Sequence, residues 1–121
     1  MAENNASQST APANDSYFTI PDLVDRFGIS PGRLHRLIED HALAAVRIDG
    51  VLRIPVEFVV DDQPLPTLRG TLLVLLDAGF TEAEAVSWLL AENEELGERP
   101  VDALHAGRKS AVRRATQALA F

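Results

Sequence analysis

Two short helical patterns joined by one glycine constrain the fold of this 121-residue chain more than any other feature. In the first pattern, four apolar residues follow the i, i+3, i+4, i+7 spacing of one helical face: Ile20, Leu23, Val24 and Phe27. Thr19 is placed to cap this helix and Gly28 to end it. The second pattern begins at once, with Ser30 as N-cap, Pro31 in the first helical position, and three inward residues: Leu34, Leu37 and Ile38. Two such helices with a tight glycine-containing turn form a helix-turn-helix unit.

The segment that follows these helices, AAVRIDGVLRIP, is rich in β-branched residues around Asp49-Gly50. Asp-Gly between two apolar runs is a strong signal for a β-hairpin. A hairpin in this place would form a wing beside the second helix.

The register of this hairpin decides which side chains share a face. A two-residue loop pairs Val46 with Arg53 and mixes apolar and basic residues on each face. A three-residue or bulged connection pairs Val46 with Ile54 and places Arg47 and Arg53 together on the outer face. We predict the second register, because it separates the arginines from the apolar residues.

The chain divides into three parts. Residues 1–16 are polar and contain no large apolar residue, so we predict a disordered tail. Residues 17–60 hold the winged helix-turn-helix. Residues 61–121, which open on a proline-containing linker at 61–66, are predicted to form a C-terminal helical subdomain packed on it, with a capping box over residues 81–84. The predicted fold class is therefore mainly α, with a short β-hairpin wing.

Charge is unevenly distributed along the chain, whose net charge is −7. Residues 59–98 carry −8, whereas residues 19–58 carry only −1 and residues 99–121 carry +4. The chain has no cysteine, and therefore no disulfide framework and no thiolate metal site. It also has no signal peptide and no apolar run near the roughly eighteen residues that span a bilayer. We expect a cytoplasmic protein without a membrane partner.

The second helix and the hairpin together favour binding to double-stranded DNA. Arg33 and Arg36 lie one turn apart near the start of the second helix, away from its apolar face, where each side chain could reach a guanine edge or a phosphate. His35 is a neighbouring candidate, and Arg47 and Arg53 on the wing could reach flanking phosphates. The acidic remainder of the chain does not exclude this, because charges are screened beyond a Debye length of about 8 Å.

Other interpretations of these basic residues stay open. Arg36 could pair with Asp40 at i, i+4 spacing, and Arg33 could be an ordinary solvated residue. A helix-turn-helix with a hairpin also occurs as a protein-docking module. Four basic residues lie near the C-terminus: Arg108, Lys109, Arg113 and Arg114. We predict a structural role for them more than direct DNA contact, although auxiliary phosphate contacts stay open.

Catalytic patterns are not found in the sequence. There is no glycine-rich phosphate loop after a strand and no nucleophile elbow. His35, His41 and His105 lack zinc-binding spacing, so we predict neither a metal nor a cofactor. The glutamates of ENEEL are typical of a solvated run, and the chain is not expected to be an enzyme.

Three segments of the chain resemble a known family: FTIPDLVDRFGISPGRLHRLIEDHALAAVRIDGVLRIPVEFV, LPTLRGTLLVLLDAGFTEAEAVSWLL and RPVDALHAGRKSAVRRATQALAF. The family consists of actinobacterial winged helix-turn-helix DNA-binding proteins, whose mycobacterial member is a substrate of a membrane Ser/Thr protein kinase. The resemblance extends from about residue 18 to residue 121, and its most specific part is RPVDALHAG with the following VRRA. It implies a DNA-binding regulator or nucleoid-type factor.

The resemblance also implies that phosphorylation of a threonine in the N-terminal tail weakens DNA binding. Thr10 is the only threonine before Thr19 and therefore the nearest match. The RPVDAL segment also resembles the C-terminal domain of some antitoxins. An alternative function is therefore a protein-binding adaptor, with a partner gripped by the face around Val101, Leu104 and Val112. The oligomeric state is not predicted.

Overall fold

The computed structural model describes residues 17–119, which form six α-helices and five short strands. The helices are α1 (Ile20–Phe27), α2 (Pro31–Glu39), α3 (Leu68–Asp77), α4 (Glu82–Leu90), α5 (Pro100–His105) and α6 (Lys109–Gln117), and the strands are β1 (Tyr17–Thr19), β2 (Val46–Ile48), β3 (Val51–Pro55), β4 (Val59–Val60) and β5 (Gln63–Pro64), with a 3-10 helix at Val56–Phe58. The tail predicted for residues 1–16 lies outside the described residues.

The helix-turn-helix forms as the sequence predicts, because its ends are set by local capping. The Thr19 hydroxyl accepts a hydrogen bond from the Asp22 amide, and the Asp22 carboxylate accepts one from the Thr19 amide at 2.9 Å. Gly28 ends α1 in the left-handed conformation with φ 65°, which only glycine adopts without strain. The Ser30 hydroxyl then caps α2 by accepting from the Arg33 amide at 3.1 Å.

The predicted hairpin also forms, but its predicted register is wrong. Asp49 and Gly50 both have positive φ, 55° and 79°, and close a two-residue turn that pairs Val46 with Arg53 and Arg47 with Leu52. Both positive φ values are those of a type I′ turn, whose twist matches that of the strands. Directly opposed residues share a face, so Arg47 and Arg53 lie on opposite faces of the sheet.

Both faces of the three-stranded sheet, ordered β1-β3-β2, are covered, and this explains the register. On one face, Phe18 of β1 opposes the fully buried Ile54, and Arg26 of α1 lies over the Phe18 ring. On the other face, Val46 and Ile48 line an apolar depression with residues of α4. Each face therefore needs apolar side chains, and the sheet has no purely polar side to which both arginines could be assigned.

One continuous core joins the helix-turn-helix to the C-terminal helices. It includes Leu23 of α1, Leu34 of α2, Leu72 of α3 and Leu89 of α4 in a single cluster of buried residues. α4 begins at the capping box predicted from the sequence and packs on β2. The mainly α, winged helix-turn-helix fold predicted from the sequence is confirmed.

Polar contacts also join the two halves of the chain. The Arg99 guanidinium donates to Glu57 at 2.9 Å and, through Nε and Nη2, to both carboxylate oxygens of Asp102 at 2.9 and 3.0 Å. This bidentate pairing lowers the pKa of Asp102 and raises that of Arg99. His105 lies 2.6 Å from the Glu57 carbonyl oxygen. Both ends of α5 therefore contact Glu57 of the 3-10 helix.

Candidate nucleic-acid interface

Arg33 and Arg36 occupy the exposed side of α2, opposite its buried residue Leu34. Within residues 17–119, neither guanidinium has a carboxylate oxygen within 4.0 Å, so the Arg36–Asp40 ion pair does not form. The carbonyl of Asp40 instead accepts from Arg69 Nε at 2.9 Å. Among the described residues, both α2 arginines are therefore available to an external anion.

These two arginines form the basic wall of a groove of about 510 Å³ beside α2. Phe27, Ile29 and Leu37 contribute apolar lining, and the opposite side is formed by residues 61–64. The groove holds three aspartates as well as the two arginines: Asp40, Asp61 and Asp62. An anion that approaches Arg33 and Arg36 therefore also approaches negative charge.

Two of these aspartates lie at the tip of a second hairpin, which the sequence analysis missed. Residues 61–66 were predicted to be a linker, whereas β4 and β5 pair through Val60 and Gln63 and leave Asp61-Asp62 as the turn. Both aspartates have positive φ, 52° and 58°. Aspartate is among the few residues besides glycine that tolerate this conformation, and that was the only signal in the sequence.

Arg26 fastens this second hairpin to α1. Its Nη1 donates to Asp62 at 3.1 Å, and its guanidinium lies 4.9 Å from the centroid of the Phe18 ring. Both side chains of the ion pair are more than half exposed, so the pair contributes little to stability, roughly 0–1 kcal/mol. Its consequence is geometric, because it holds the acidic turn close to the helix-turn-helix.

The two wing arginines have different environments. Arg47 is exposed, lies on the sheet face that α1 covers, and donates from Nη1 to the Gly50 carbonyl at 3.1 Å, which holds it over the turn. Arg53 is half-buried on the opposite face, and its buried Nε has no hydrogen-bond partner among the described residues. His35 is exposed on α2 but does not line the groove. Four of the five predicted side chains are thus accessible, and Arg53 is the exception.

The face predicted to grip a protein partner is internal. Its three residues belong to the core of the chain itself, without a partner being present: Val101, Leu104 and Val112, which are 0%, 3% and 1% exposed. Polar substitutions at these positions would therefore unfold the C-terminal helices before they could report on a partner.

Two other kinds of feature are not found among residues 17–119. No group of three or more His, Asp or Glu side chains is placed to hold a metal ion within that range. No helix of that range has the length and apolar character that crossing a bilayer requires.

The fold and the exposed arginines of its second helix define a winged helix-turn-helix protein. Two family models match the chain, one after the other. Residues 5–59 match the winged helix-turn-helix domain described as DNA-binding protein Rv2175c, and residues 65–120 match the Rv2175c C-terminal domain of unknown function. The chain belongs to this family, as the sequence resemblance predicted. The winged helix-turn-helix domain of this family is described as that of a DNA-binding protein, and the description names no catalytic activity.

Two comparisons show how far the similarity extends. The DNA-binding protein Rv2175c of Mycobacterium tuberculosis is 28% identical over 129 residues, which cover 96% of this chain and 88% of that protein. The NMR structure of Rv2175c superposes with a TM-score of 0.80 at 28% identity and covers 93% of this chain and 86% of that one. The similarity thus includes both halves of the chain.

Proposed function

We propose that this protein binds duplex DNA by placing the N-terminal half of α2 in the major groove. The observation that carries the proposal is the pair of exposed arginines, Arg33 and Arg36, one turn apart on a helix whose opposite side is buried, with no carboxylate within 4.0 Å among the described residues. Membership of a family described as DNA-binding supports the same conclusion.

In the proposed complex, each guanidinium presents a planar fork of donors to a guanine edge or to a phosphate. His35, which is exposed on another side of α2, adds a further contact to the DNA. Arg47 reaches a flanking phosphate from the wing. It lies on the same sheet face as α1, and its side chain is exposed there. Arg53 is half-buried on the opposite face and is left out of the contact set.

A protein of this kind acts on the chromosome as a transcriptional regulator or as a nucleoid-type factor. The two roles differ in sequence preference, because a regulator reads base edges whereas a nucleoid factor relies on phosphate contacts. Selection of bound duplexes from a random pool separates them. An enriched motif indicates a regulator, and an unenriched pool indicates a nucleoid-type factor.

The test of the site is a pair of double variants measured with one duplex across a salt series. Arg33→Ala with Arg36→Ala should weaken binding at least tenfold and reduce the slope of log affinity against log salt by about 2, since each phosphate contact contributes about 0.9. The matched control, Arg33→Lys with Arg36→Lys, keeps the charge but not the fork. It should retain the slope and lose preference for the best site. Unchanged affinity and slope in the alanine pair would refute the assignment.

A second part of the proposal concerns Thr10, which lies outside the described residues. We propose that a Ser/Thr kinase phosphorylates it and that the added charge, close to −2, opposes DNA binding by repulsion. The family-model match begins at residue 5 and so includes Thr10, and the chain between residues 10 and 17 can span about 25 Å. Thr10→Glu should weaken duplex binding at low salt relative to Thr10→Ala. Equal affinities for the two variants would count against the switch.

A further inference from the structure

The helix α6 presents a basic face that the proposed function does not use. Val112, Ala115 and Thr116 are buried where α6 packs on α3 and α5. On the other side of α6, five exposed residues line a shallow depression of about 410 Å³ and define the α6 basic face: Lys109, Ser110, Arg113, Arg114 and Gln117. Each of these side chains can donate a hydrogen bond, and none is acidic.

The charges of this face have no ion-pair partner among the described residues. Of the four C-terminal bases for which a structural role was expected, only Arg108 forms an ion pair among the described residues, and its partner is Glu98. Lys109, Arg113 and Arg114 have no carboxylate oxygen within 4.0 Å in that part of the chain. The lack of partners is not forced by composition, because the chain has 18 acidic residues and 11 basic ones.

The placement of two of these charges works against the helix itself. Lys109 is the first residue of α6, where the helix dipole disfavours a cation. Lys109 and Arg113 are like charges at i, i+4 spacing, which destabilises an isolated helix by roughly 0.2–0.5 kcal/mol. The helix dipole therefore favours Arg114, in the last turn of α6, but does not account for Lys109 or Arg113.

We propose that the α6 basic face is a second surface that binds the phosphate backbone of duplex DNA. The three cations lie within residues 109–114, about 7.5 Å along the helix axis at 1.5 Å per residue. One DNA strand carries a charge about every 3.4 Å along its axis, so the face spans two or three phosphates. Ser110 and Gln117 add neutral donors of the kind that contact phosphate oxygens.

The chemistry of the face fits a nucleic acid better than an acidic protein. Protein interfaces are built around aromatic and other apolar anchors and are depleted in lysine at their centre. No apolar side chain lines the depression on α6.

The α6 basic face belongs to a different part of the molecule from α2. α6 packs mainly on α3 and α5, which are helices of the C-terminal half. The inference rests on the proposed DNA binding and extends it, because one chain would then contact phosphates from both halves.

The test combines two sets of substitutions with one short duplex. Lys109→Ala, Arg113→Ala and Arg114→Ala together should reduce the salt slope by about 2 to 3. In the Arg33→Ala, Arg36→Ala background, the same three substitutions should abolish the residual, salt-sensitive binding. The matched control is Arg108→Ala, whose charge is already paired with Glu98 and whose loss should leave the slope unchanged. The thermal midpoint should not fall, because the three side chains are exposed and two of them oppose the helix.

The outcomes separate this inference from the proposed function. If the α6 substitutions leave affinity and salt slope unchanged in both backgrounds and the α2 substitutions weaken binding, the α6 surface is refuted and the α2 site stands. If the α2 variant binds like the parent and the α6 variant does not, the α2 assignment falls and the α6 surface stands. A parent protein that binds no duplex at low salt overturns both.

Discussion

At the scale of single residues, the arginines of this chain are distinguished by their partners. Arg99 is held by two carboxylates, Arg26 by one, and Arg69 by a backbone carbonyl. Arg33 and Arg36 have no carboxylate within 4.0 Å among the described residues, although the chain is acidic overall. Their exposure follows from the Ser30 cap, which fixes where α2 starts and hence which of its residues face the core. Local geometry, more than net charge, thus determines whether an acidic protein can bind a polyanion.

The Arg99–Asp102 pair gives a prediction for stability against pH. Arg99 lowers the pKa of Asp102. This carboxyl group therefore loses its proton at a lower pH in the folded protein than in the unfolded chain, where the pKa of an aspartate is about 3.9. The stabilisation is therefore present above that pH and is lost as the pH falls through the lower value of the folded state. Asp102→Asn should cost about 0.5–1 kcal/mol near neutral pH, since both side chains are partly exposed.

Urea unfolding of the parent and of Asp102→Asn, measured from about pH 7 down to about pH 3, checks this prediction. The difference between the two free energies of unfolding should shrink toward the acid end. Asp25→Asn is the control, because Asp25 is exposed and forms no ion pair among the described residues. A difference that stays constant across the range would show that the ion pair does not contribute.

At the scale of elements, helices could be predicted from the sequence and strand partners could not. The ends of α1, α2 and α4 follow from caps that lie within a few residues of the helices they stabilise. The hairpin register depends instead on what covers the sheet, and α4, which covers β2, lies more than thirty residues further along the chain. For this reason the predicted register placed Arg53 on the wrong face of the sheet. Arg33 and Arg36 were placed correctly on an exposed face because helical spacing alone decides it.

The second hairpin was missed for a related reason. Pro64 is compatible with β5 because a two-stranded sheet consists of edge strands alone, where a missing amide is tolerated. Two consecutive aspartates at positive φ are an uncommon turn, so the segment has the composition of a linker. Its position beside α2 adds negative charge to the candidate site, which could not be foreseen from the sequence.

This acidic turn yields a prediction at the same scale. Asp61→Asn removes one negative charge from the groove that Arg33 and Arg36 line, while asparagine retains the left-handed backbone. A unit charge about 10 Å from a phosphate is worth roughly 0.4 kcal/mol in water, so duplex affinity should rise about twofold at low salt. The gain should fade as salt rises.

Fluorescence anisotropy of a labelled duplex at two salt concentrations measures this effect. Asp77→Asn is the control, because it removes the same charge from the exposed end of α3, outside the groove. An equal gain from both variants would mean that only net charge matters. No gain from Asp61→Asn would place the turn away from the bound duplex.

At the scale of the whole molecule, the two halves share one core, and we expect them to unfold together. Buried residues of α1, α2, α3 and α4 belong to a single cluster, and the contacts of Glu57 with Arg99 and His105 join the halves again. Trp88 on α4 is the only tryptophan, so its fluorescence reports the surroundings of that helix, whereas far-UV circular dichroism reports all helices. The two thermal midpoints should coincide. Separate midpoints would show that the halves are independent units.

The central claim is that α2 and the wing form the surface that meets DNA. Backbone amide shifts, followed while a short duplex is added to the intact protein, test it most directly. We expect the largest changes in the first half of α2, around Arg33 and Arg36, and at the hairpin tip near Arg47, with the interior of the C-terminal helices unmoved. Large changes elsewhere, with α2 and the hairpin tip unshifted, would contradict the account.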